Sequence, residues 1–502
     1  MDVVLISDHP MTLGVQFLMT HLKDQADLNV SCRVRGILAS STDFSRIECP
    51  YTVAEREHLE NYLGKTKPEI VGISTIERTR RRSMLLLPAI RKILPNAFFL
   101  AGGVDAIAAP HFYLDNGIDG VAMGDGETVM EAVLKRRLNG GREALMSQVP
   151  GMITRQHPSS DPASTPDVLP MPYYGEDLLY LGQDGMKPWV EDDRKDHVQF
   201  VNRKRAIDMY TQRGCTHKCA FCAQDLLALY GKDSFRNSRR RPVEDVVRYI
   251  GSVKSNYPQK QFVYFWDLDF LRKPRAELLK FAELYRSQVG LPFFVFVTEK
   301  SVNAAGLEIL TALVSAGLRT INMGIQSGNS RVLRGYNRLN TPQESESAIA
   351  KINEATKNSD IEVLYDVITY NPAETREEII DTIRLIMRIP TNGGQVIRLS
   401  THKLSFNTGQ AHSKEDQPHS FEDYQDFKTN ASIYQSTQSP YLSWLLGQMM
   451  RGKISRSAIG SVRRDYMEKL LDESYVATMD EHHALNQVLY EAVVPRDNEA
   501  FL

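Results

Sequence analysis

Cysteine is scarce in this sequence, with five residues among 502. So few thiols exclude a fold stapled by disulfides. Long apolar runs are missing as well: none approaches the ~18 residues of a membrane-spanning helix. The opening MDVVLISDHP lacks the basic segment that begins a signal peptide. Neither sign of charge is in excess, and a formal net charge of -2 gives no reason to expect nucleic acid or an anionic membrane as partner. These absences lead us to expect a cytoplasmic protein with reduced thiols, bound to neither membrane nor nucleic acid. No G-x-G-x-x-G follows the first apolar run, which excludes the dinucleotide-binding fingerprint.

What is present alternates. Residues 1–145 carry short apolar runs at 3–7 (VVLIS), 69–74 (EIVGIS), 97–103 (AFFLAGG) and 119–123 (DGVAM), separated by helical patterns. That alternation predicts an α/β domain, a doubly wound, Rossmann-like parallel sheet with helices on both faces. Such sheets bind ligands at the carboxyl ends of their strands. Gly102 and Gly103 follow one predicted strand, and Gly124 and Gly126 follow another. Glycines there serve ordinary turns or let a backbone approach a bulky ligand, and the residues alone do not choose. Cys32 alternates with Leu28, Val30 and Val34, which predicts a strand with the thiol buried. Residues 146–205 are rich in Pro, Ser and Asp and read as a linker over the surface.

From residue 206 to about 430 the alternation restarts. Strands are predicted at 207–211, 261–266, 293–297, 319–323, 363–368 and 395–400. Six βα units fit either a second doubly wound sheet or a partial barrel, whose chemistry lies in the loops at the carboxyl ends of its strands. Polar residues collect there: Asp267 and Asp269, Thr298 and Glu299, Gln326 and Ser327, Asn371 and Glu374, and Thr401 with His402. The basic run at 236–241 reads as a solvated loop. Residues 431–502 read as a mostly helical C-terminal region, in which the adjacent His482 and His483 do not share a helix face and make no metal pair.

Three of the five cysteines fall within RGCTHKCAFC (213–222), spaced Cys-x-x-x-Cys-x-x-Cys. Structural zinc wants four ligands, usually as two separated pairs, and no second pair exists here. His217 sits between the thiols, a poor place for a fourth ligand. A disulfide leaves one thiol over, and nucleophilic catalysis needs one cysteine with a base. Thiolates also hold iron–sulfur clusters. In a four-iron cluster, three cysteines leave one iron open to bind a substrate and pass it an electron.

Cys215, Cys219 and Cys222, with the aromatic Phe221 before the third cysteine and βα units following, resemble the motif of the radical S-adenosylmethionine (SAM) enzymes. The resemblance implies a partial (β/α)6 TIM-type barrel, a 4Fe-4S cluster on the three cysteines, and SAM chelated to the open iron. Phe221, Asp267, Asp269, Thr298, Gln326 and Ser327 then become candidates to surround SAM, although Asp267 and Asp269 equally suit caps of the helices that follow. Residues 1–145, through KPEIVGIS, LAGGVDA and GVAMGDGET, resemble the cobalamin-binding domain of one large subclass. Ser74, Thr75, Gly102, Gly103, Gly124, Gly126 and Glu127 are the implied cobalamin contacts. The Asp-x-His-x-x-Gly motif of a lower histidine ligand is absent, since Asp8 and His9 are adjacent. Gln326 stands where the subclass often has Glu, and YNPAET (370–375) departs from its usual Gly-x-Pro-Gly-Glu-Thr.

The resemblance implies methylation of an unactivated carbon in a small, natural-product-type substrate. It also implies a flavodoxin- or ferredoxin-like one-electron donor. Radical rearrangement or cyclisation without methylation, and a non-enzymatic iron–sulfur or cobalamin sensor, are the alternatives. A methylthiotransferase would need three further N-terminal cysteines, and only Cys32 and Cys49 remain.

Overall fold

The computed structural model describes residues 1–7, 13–39, 51–76, 79–160, 164–166, 168–189, 206–219, 221–222, 239–357, 359–369, 376–389 and 396–403. Asp8, His9, Cys49, the 370–375 segment with Asn371 and Glu374, the side chains of Thr401 and His402, and the predicted C-terminal region 431–502 lie outside the described residues. The chain forms two compact units, one containing Met1–Leu268 and Ser287–Pro292, the other Asp269–Arg286 and Phe293–Ser405.

The first unit is built on eight strands: β1 (Asp2–Ser7), β2 (Arg33–Ala39), β3 (Ile70–Ser74), β4 (Phe98–Gly102), β5 (Gly120–Ala122), β6 (Met152–Ile153), β7 (Leu178–Gly182) and β8 (Gly185–Pro188). They lie in the order β6-β5-β4-β3-β1-β2-β7-β8. β1 is central, with Val3 opposite both Val34 of β2 and Ile70 of β3, and its pairings are parallel. Only β6 and β8 run antiparallel to their neighbours. The core order 2-1-3-4-5 is a doubly wound one, with its switch point between β1 and β3.

Apolar residues occupy both faces because both are covered. Val4 and Ile6 pack with Leu59 and Leu63 of α3 (Val53–Thr66), Leu87 and Ile90 of α4 (Arg80–Ile93), and Phe112. Val3 and Leu5 pack on the other face with Val15 and Met19 of α1 (Leu13–Asp24), Leu28 of α2 (Ala26–Ser31), and Met130 and Val133. Between β4 and β5 lie α5 (Val104–Ala108) and α6 (Pro110–Asp115), and α7 (Gly126–Gly140) follows β5.

Two expectations differ from the structure. Residues 28–31 are helical rather than extended; Val30 is 89% exposed and the strand begins only at Arg33, although Cys32 is buried as expected. Leu28 reaches the core from a helix, so an apolar residue at every second position there misled the reading. The segment read as a linker also contributes β6, β7 and β8, short strands whose Pro-rich surroundings masked them.

The first unit continues through β9 (Ala206–Met209), β10 (Gln212–Arg213), β11 (Arg239–Arg240), α8 (Val243–Asn256) and β12 (Phe262–Phe265). β9 and β12 are parallel neighbours. β10 and β11 form an antiparallel ribbon with Arg213 opposite Arg239. The second unit carries most of α9 (Arg275–Gln288), then β13 (Phe293–Val297), α10 (Glu299–Ala316), β14 (Leu318–Gln326), α11 (Ser330–Gly335), α12 (Pro342–Thr356), β15 (Glu362–Thr369), α13 (Arg376–Met387) and β16 (Val396–Lys403). β13 through β16 pair in parallel, each with the next. This unidirectional βα progression is barrel-type, without the reversal of strand order that a doubly wound sheet requires. Among the described residues no helix is long and apolar enough to cross a membrane.

Candidate functional site

At the carboxyl ends of β1, β3, β4 and β5, where the strand order reverses, lies a cavity of about 430 Å³, within the usual range of ligand sites. Six of the seven residues predicted for cobalamin line it: Ser74, Gly102, Gly103, Gly124, Gly126 and Glu127. Thr75 does not. It is buried behind the wall, where its N–H and hydroxyl donate to the Gly102 carbonyl at 2.8 and 3.2 Å, fastening the end of β3 to β4. Gly103 is demanded by the fold itself: its φ is +95°, and a Cβ there would stand 2.5 Å from the Thr75 carbonyl oxygen.

Beneath this wall lies a buried polar group that the sequence reading missed. Asp105 accepts from Arg80 Nε at 2.8 Å, from Arg80 Nη2 at 2.5 Å, and from the Tyr113 hydroxyl. All three residues are at most 2% exposed. The Asp105 amide reaches back to the Thr75 carbonyl, so the group ties α4, α5 and α6 to the cavity wall. Burial, and next the Asp105 charge, push the Tyr113 hydroxyl well above its ordinary pKa. The one available signal was a run of arginines just after a strand, which composition alone reads as solvated.

On its other side the cavity is lined by Tyr210, Gln212, Arg213, Gly214 and Cys222. Gly214, at φ +90°, turns the chain from β10 into the cysteine loop. Cys219 is buried, while Cys215, Phe221 and Cys222 are half-buried. The Cys222 amide donates to the Cys219 carbonyl at 3.0 Å, closing a tight turn between the last two thiols. Among the described residues no three Cys, His, Asp or Glu side chains are arranged around one metal ion. A four-iron cluster asks for something different, because each thiolate binds a separate iron and the sulfurs stand farther apart. Three thiols on one glycine-led loop fit that donor set.

The loop is anchored electrostatically. Arg213 Nη2 donates to Glu127 Oε1 at 2.5 Å, and Arg213 Nη1 lies 3.6 Å from Asp125. Arg239 Nη1 donates to Asp125 Oδ2 at 2.5 Å. Burial by itself raises the Glu127 carboxyl, but the charge and hydrogen bond of Arg213 outweigh it and hold the group below the usual carboxylate range. The basic run expected to be solvated is therefore partly structural: Arg239 is paired, and Arg241 is 5% exposed and donates to the Tyr210 and Pro170 carbonyls. Burial, followed by the charge of Arg213, pulls Arg241 down to about 9.

Asp267 is fully buried. It accepts from the Thr211 amide at 2.7 Å, the Gln212 amide at 3.1 Å and the Thr211 hydroxyl, holding the approach to the cysteine loop. In the second unit, Asp269 accepts from the Thr298 hydroxyl at 2.7 Å and the Ser301 hydroxyl at 2.6 Å. Thr298 is the N-cap of α10 in a capping box with Ser301, so the Asp269 bonds brace the start of α10, whereas the helix that follows Asp269 in the chain is α9. Gln326 ends β14 at φ +65°, beside a shift in register. A non-glycine residue held there stores strain of the kind that clusters at functional sites. The hydroxyls of Ser327 and Thr382 lie 3.1 Å apart. Burial pushes the Glu299 carboxyl up despite its pairing with Arg338.

Residues 209–386 match the model of the Radical SAM superfamily; this stretch is a radical SAM domain. An uncharacterised methyltransferase of Pyrococcus horikoshii is 25% identical over 389 residues, covering 76% of this chain and 74% of that protein. OxsB, solved as a cobalamin-dependent S-adenosylmethionine radical enzyme with aqua-cobalamin bound, superposes with a TM-score of 0.58 at 15% identity. That match covers 87% of this chain but 56% of OxsB, so the chain spans little more than half of its length. TsrM of Kitasatospora setae is a radical S-adenosylmethionine methyltransferase solved with tryptophan substrate and a SAM analogue. It superposes with a TM-score of 0.57 at 16% identity, covering 80% of this chain and 72% of TsrM. At such identities the two structures establish a shared fold.

Proposed function

We propose that this chain is a cobalamin-dependent radical SAM enzyme that methylates an unactivated carbon of a small substrate. The observation that carries the reading is one cavity whose walls include both the glycine-rich strand ends of a doubly wound sheet and Cys222 of the three-cysteine loop. The radical SAM domain supports the first half of the reading. The fold shared with OxsB and TsrM, and the methyltransferase relative from Pyrococcus, support the second.

Cys215, Cys219 and Cys222 would hold a 4Fe-4S cluster with one iron left open for SAM. Ser74, Gly102, Gly103, Gly124 and Gly126 offer a small-residue surface for the nucleotide tail of cobalamin. When bound, the reduced cluster supplies the electron that cleaves SAM to a hydrogen-abstracting radical, and cobalamin supplies the methyl group. The chain itself contributes placement and exclusion of water. Arg213 orients the start of the cysteine loop, Asp267 holds Thr211 and Gln212 before it, and the apolar Leu5, Leu18 and Met130 line the cavity. A flavodoxin- or ferredoxin-like protein would deliver the electron.

Anaerobic reconstitution with iron, sulfide, hydroxocobalamin and SAM, followed by dithionite, tests the proposal. Expected are corrin absorbance retained through gel filtration and deoxyadenosine release that vanishes in Cys219→Ala. S-adenosylhomocysteine should accumulate alongside deoxyadenosine once substrate is supplied. Deoxyadenosine alone would replace methylation with rearrangement, and no deoxyadenosine above the Cys219→Ala control would sink the enzymatic reading.

A further inference from the structure

The ribbon at the root of the cysteine loop contains an electrostatic problem. Arg213 and Arg239 are direct cross-strand partners, and like charges placed so repel one another. Arg241 adds a third buried cation close by. The relief comes from a distant part of the sequence. Asp125 receives both arginines, and Glu127 receives Arg213 across 86 residues of chain. The two acids are 6% and 4% exposed at the side chain, and the two arginines 15% and 20%. Asp125 stands at the N-cap of α7, where its carboxylate would ordinarily accept a backbone amide, yet it makes no capping bond. Its side chain is committed to the arginines. Glu127, expected as a cobalamin contact, is likewise turned to Arg213.

We propose that Asp125, Glu127, Arg213 and Arg239 form an ionic clamp that fixes the cysteine loop against the Gly124–Glu127 turn. The four are positioning residues: they set the span between whatever the thiols hold and whatever the glycine-lined cavity holds. The identity of those two groups, cluster and corrin, rests on the function proposed above; the clamp itself does not. Span matters because reacting groups misplaced by about 1 Å can lose on the order of 100-fold in rate.

The test uses the full chain carrying Glu127→Gln and Asp125→Asn together, near-isosteric changes that remove charge and leave volume. Hydrogen exchange is read first, without added cofactors. Amides of 211–214 and 239–241 should exchange on the order of tenfold faster than in the wild type, while those of β12 stay unchanged. The reconstituted holoprotein is read second, by electron paramagnetic resonance. Iron content should match the wild type, and in the corrin-loaded fraction the magnetic coupling between the reduced cluster and the Co(II) corrin should weaken or broaden. The exchanged pair Glu127→Arg with Arg213→Glu should recover protection that Arg213→Glu alone loses. Wild-type exchange at the ribbon together with wild-type coupling would overturn the clamp. So would a rise in exchange that includes β12, because the pairs would then support the whole unit rather than one loop. A wild-type protein that binds iron but no corrin would refute the functional proposal, and the exchange measurement would still decide the clamp.

Discussion

Replacing Arg80 by Met should destabilise the first unit far more than the loss of one surface arginine. Arg80 and Asp105 are 1% and 2% exposed and joined by two hydrogen bonds, with Tyr113 donating to the same carboxylate. Removing one partner of a buried pair leaves an uncompensated charge and costs about 3–5 kcal/mol. At about 2–4 °C per kcal/mol for a domain of this size, the melting transition should fall by roughly 6–20 °C. Met retains most of the buried stem, so cavity formation contributes little. The control is Arg80→Met with Asp105→Leu, which removes both charges. It should recover at least half of the loss, since replacing a buried pair by apolar groups is often close to neutral. Thermal unfolding followed by circular dichroism on the full chain reads both. A single variant that melts within about 2 °C of the wild type, or a double variant no better than the single, would refute the claim that an orphaned Asp105 charge drives the loss.

Gly103→Ala forces a Cβ to 2.5 Å from the Thr75 carbonyl oxygen at a φ of +95°; a loss of order 1–3 kcal/mol is expected, together with reduced corrin retention in gel filtration. Asp267→Ala strips the acceptor from two backbone amides and a hydroxyl. At about 1.5–3 kcal/mol for a hydrogen bond to a charged group, the urea midpoint and the iron content after reconstitution should both drop. Glu127 titrates below the ordinary carboxylate range in the folded protein, so its stabilisation is complete above about pH 4.3 and fades as pH falls through the depressed folded value. Acid denaturation of the cofactor-free wild type should therefore be steeper below that pH than that of Glu127→Gln, and parallel curves would contradict the assignment.

Much of the architecture was legible because periodicity and burial agree. All six strands predicted after residue 206 form within a few residues of their expected positions, as β9, β12, β13, β14, β15 and β16. The glycines at the ends of β4 and β5 fall where doubly wound sheets place ligands, but turn glycines fall there too, and the residues alone left both readings open. What stayed hidden depends on contacts distant in sequence. The arginines after β3 and those at 239–241 look like solvated charge until the fold supplies Asp105 and Asp125. Glu127 lines the glycine-rich cavity, but local sequence could not reveal Arg213 as its partner. Asp269 is a further case: its hydroxyl partners Thr298 and Ser301 lie 29 and 32 residues along the chain, at the start of α10 and not of α9, the helix that follows it.

The strands contributed by the segment after residue 145 bear on where this protein can be divided. β7 runs parallel along β2, pairing Gly36 with Leu178 through Ala39 with Leu181, and β8 folds back antiparallel on β7. A fragment ending at 145 would expose the whole hydrogen-bonding rim of β2, an invitation to intermolecular strand addition and aggregation. A fragment reaching Trp189 would keep that rim capped by a short hairpin and retain Trp189 against Tyr180. Soluble expression of an isolated N-terminal sheet should therefore depend on some forty residues that contribute nothing to the cavity's glycine wall.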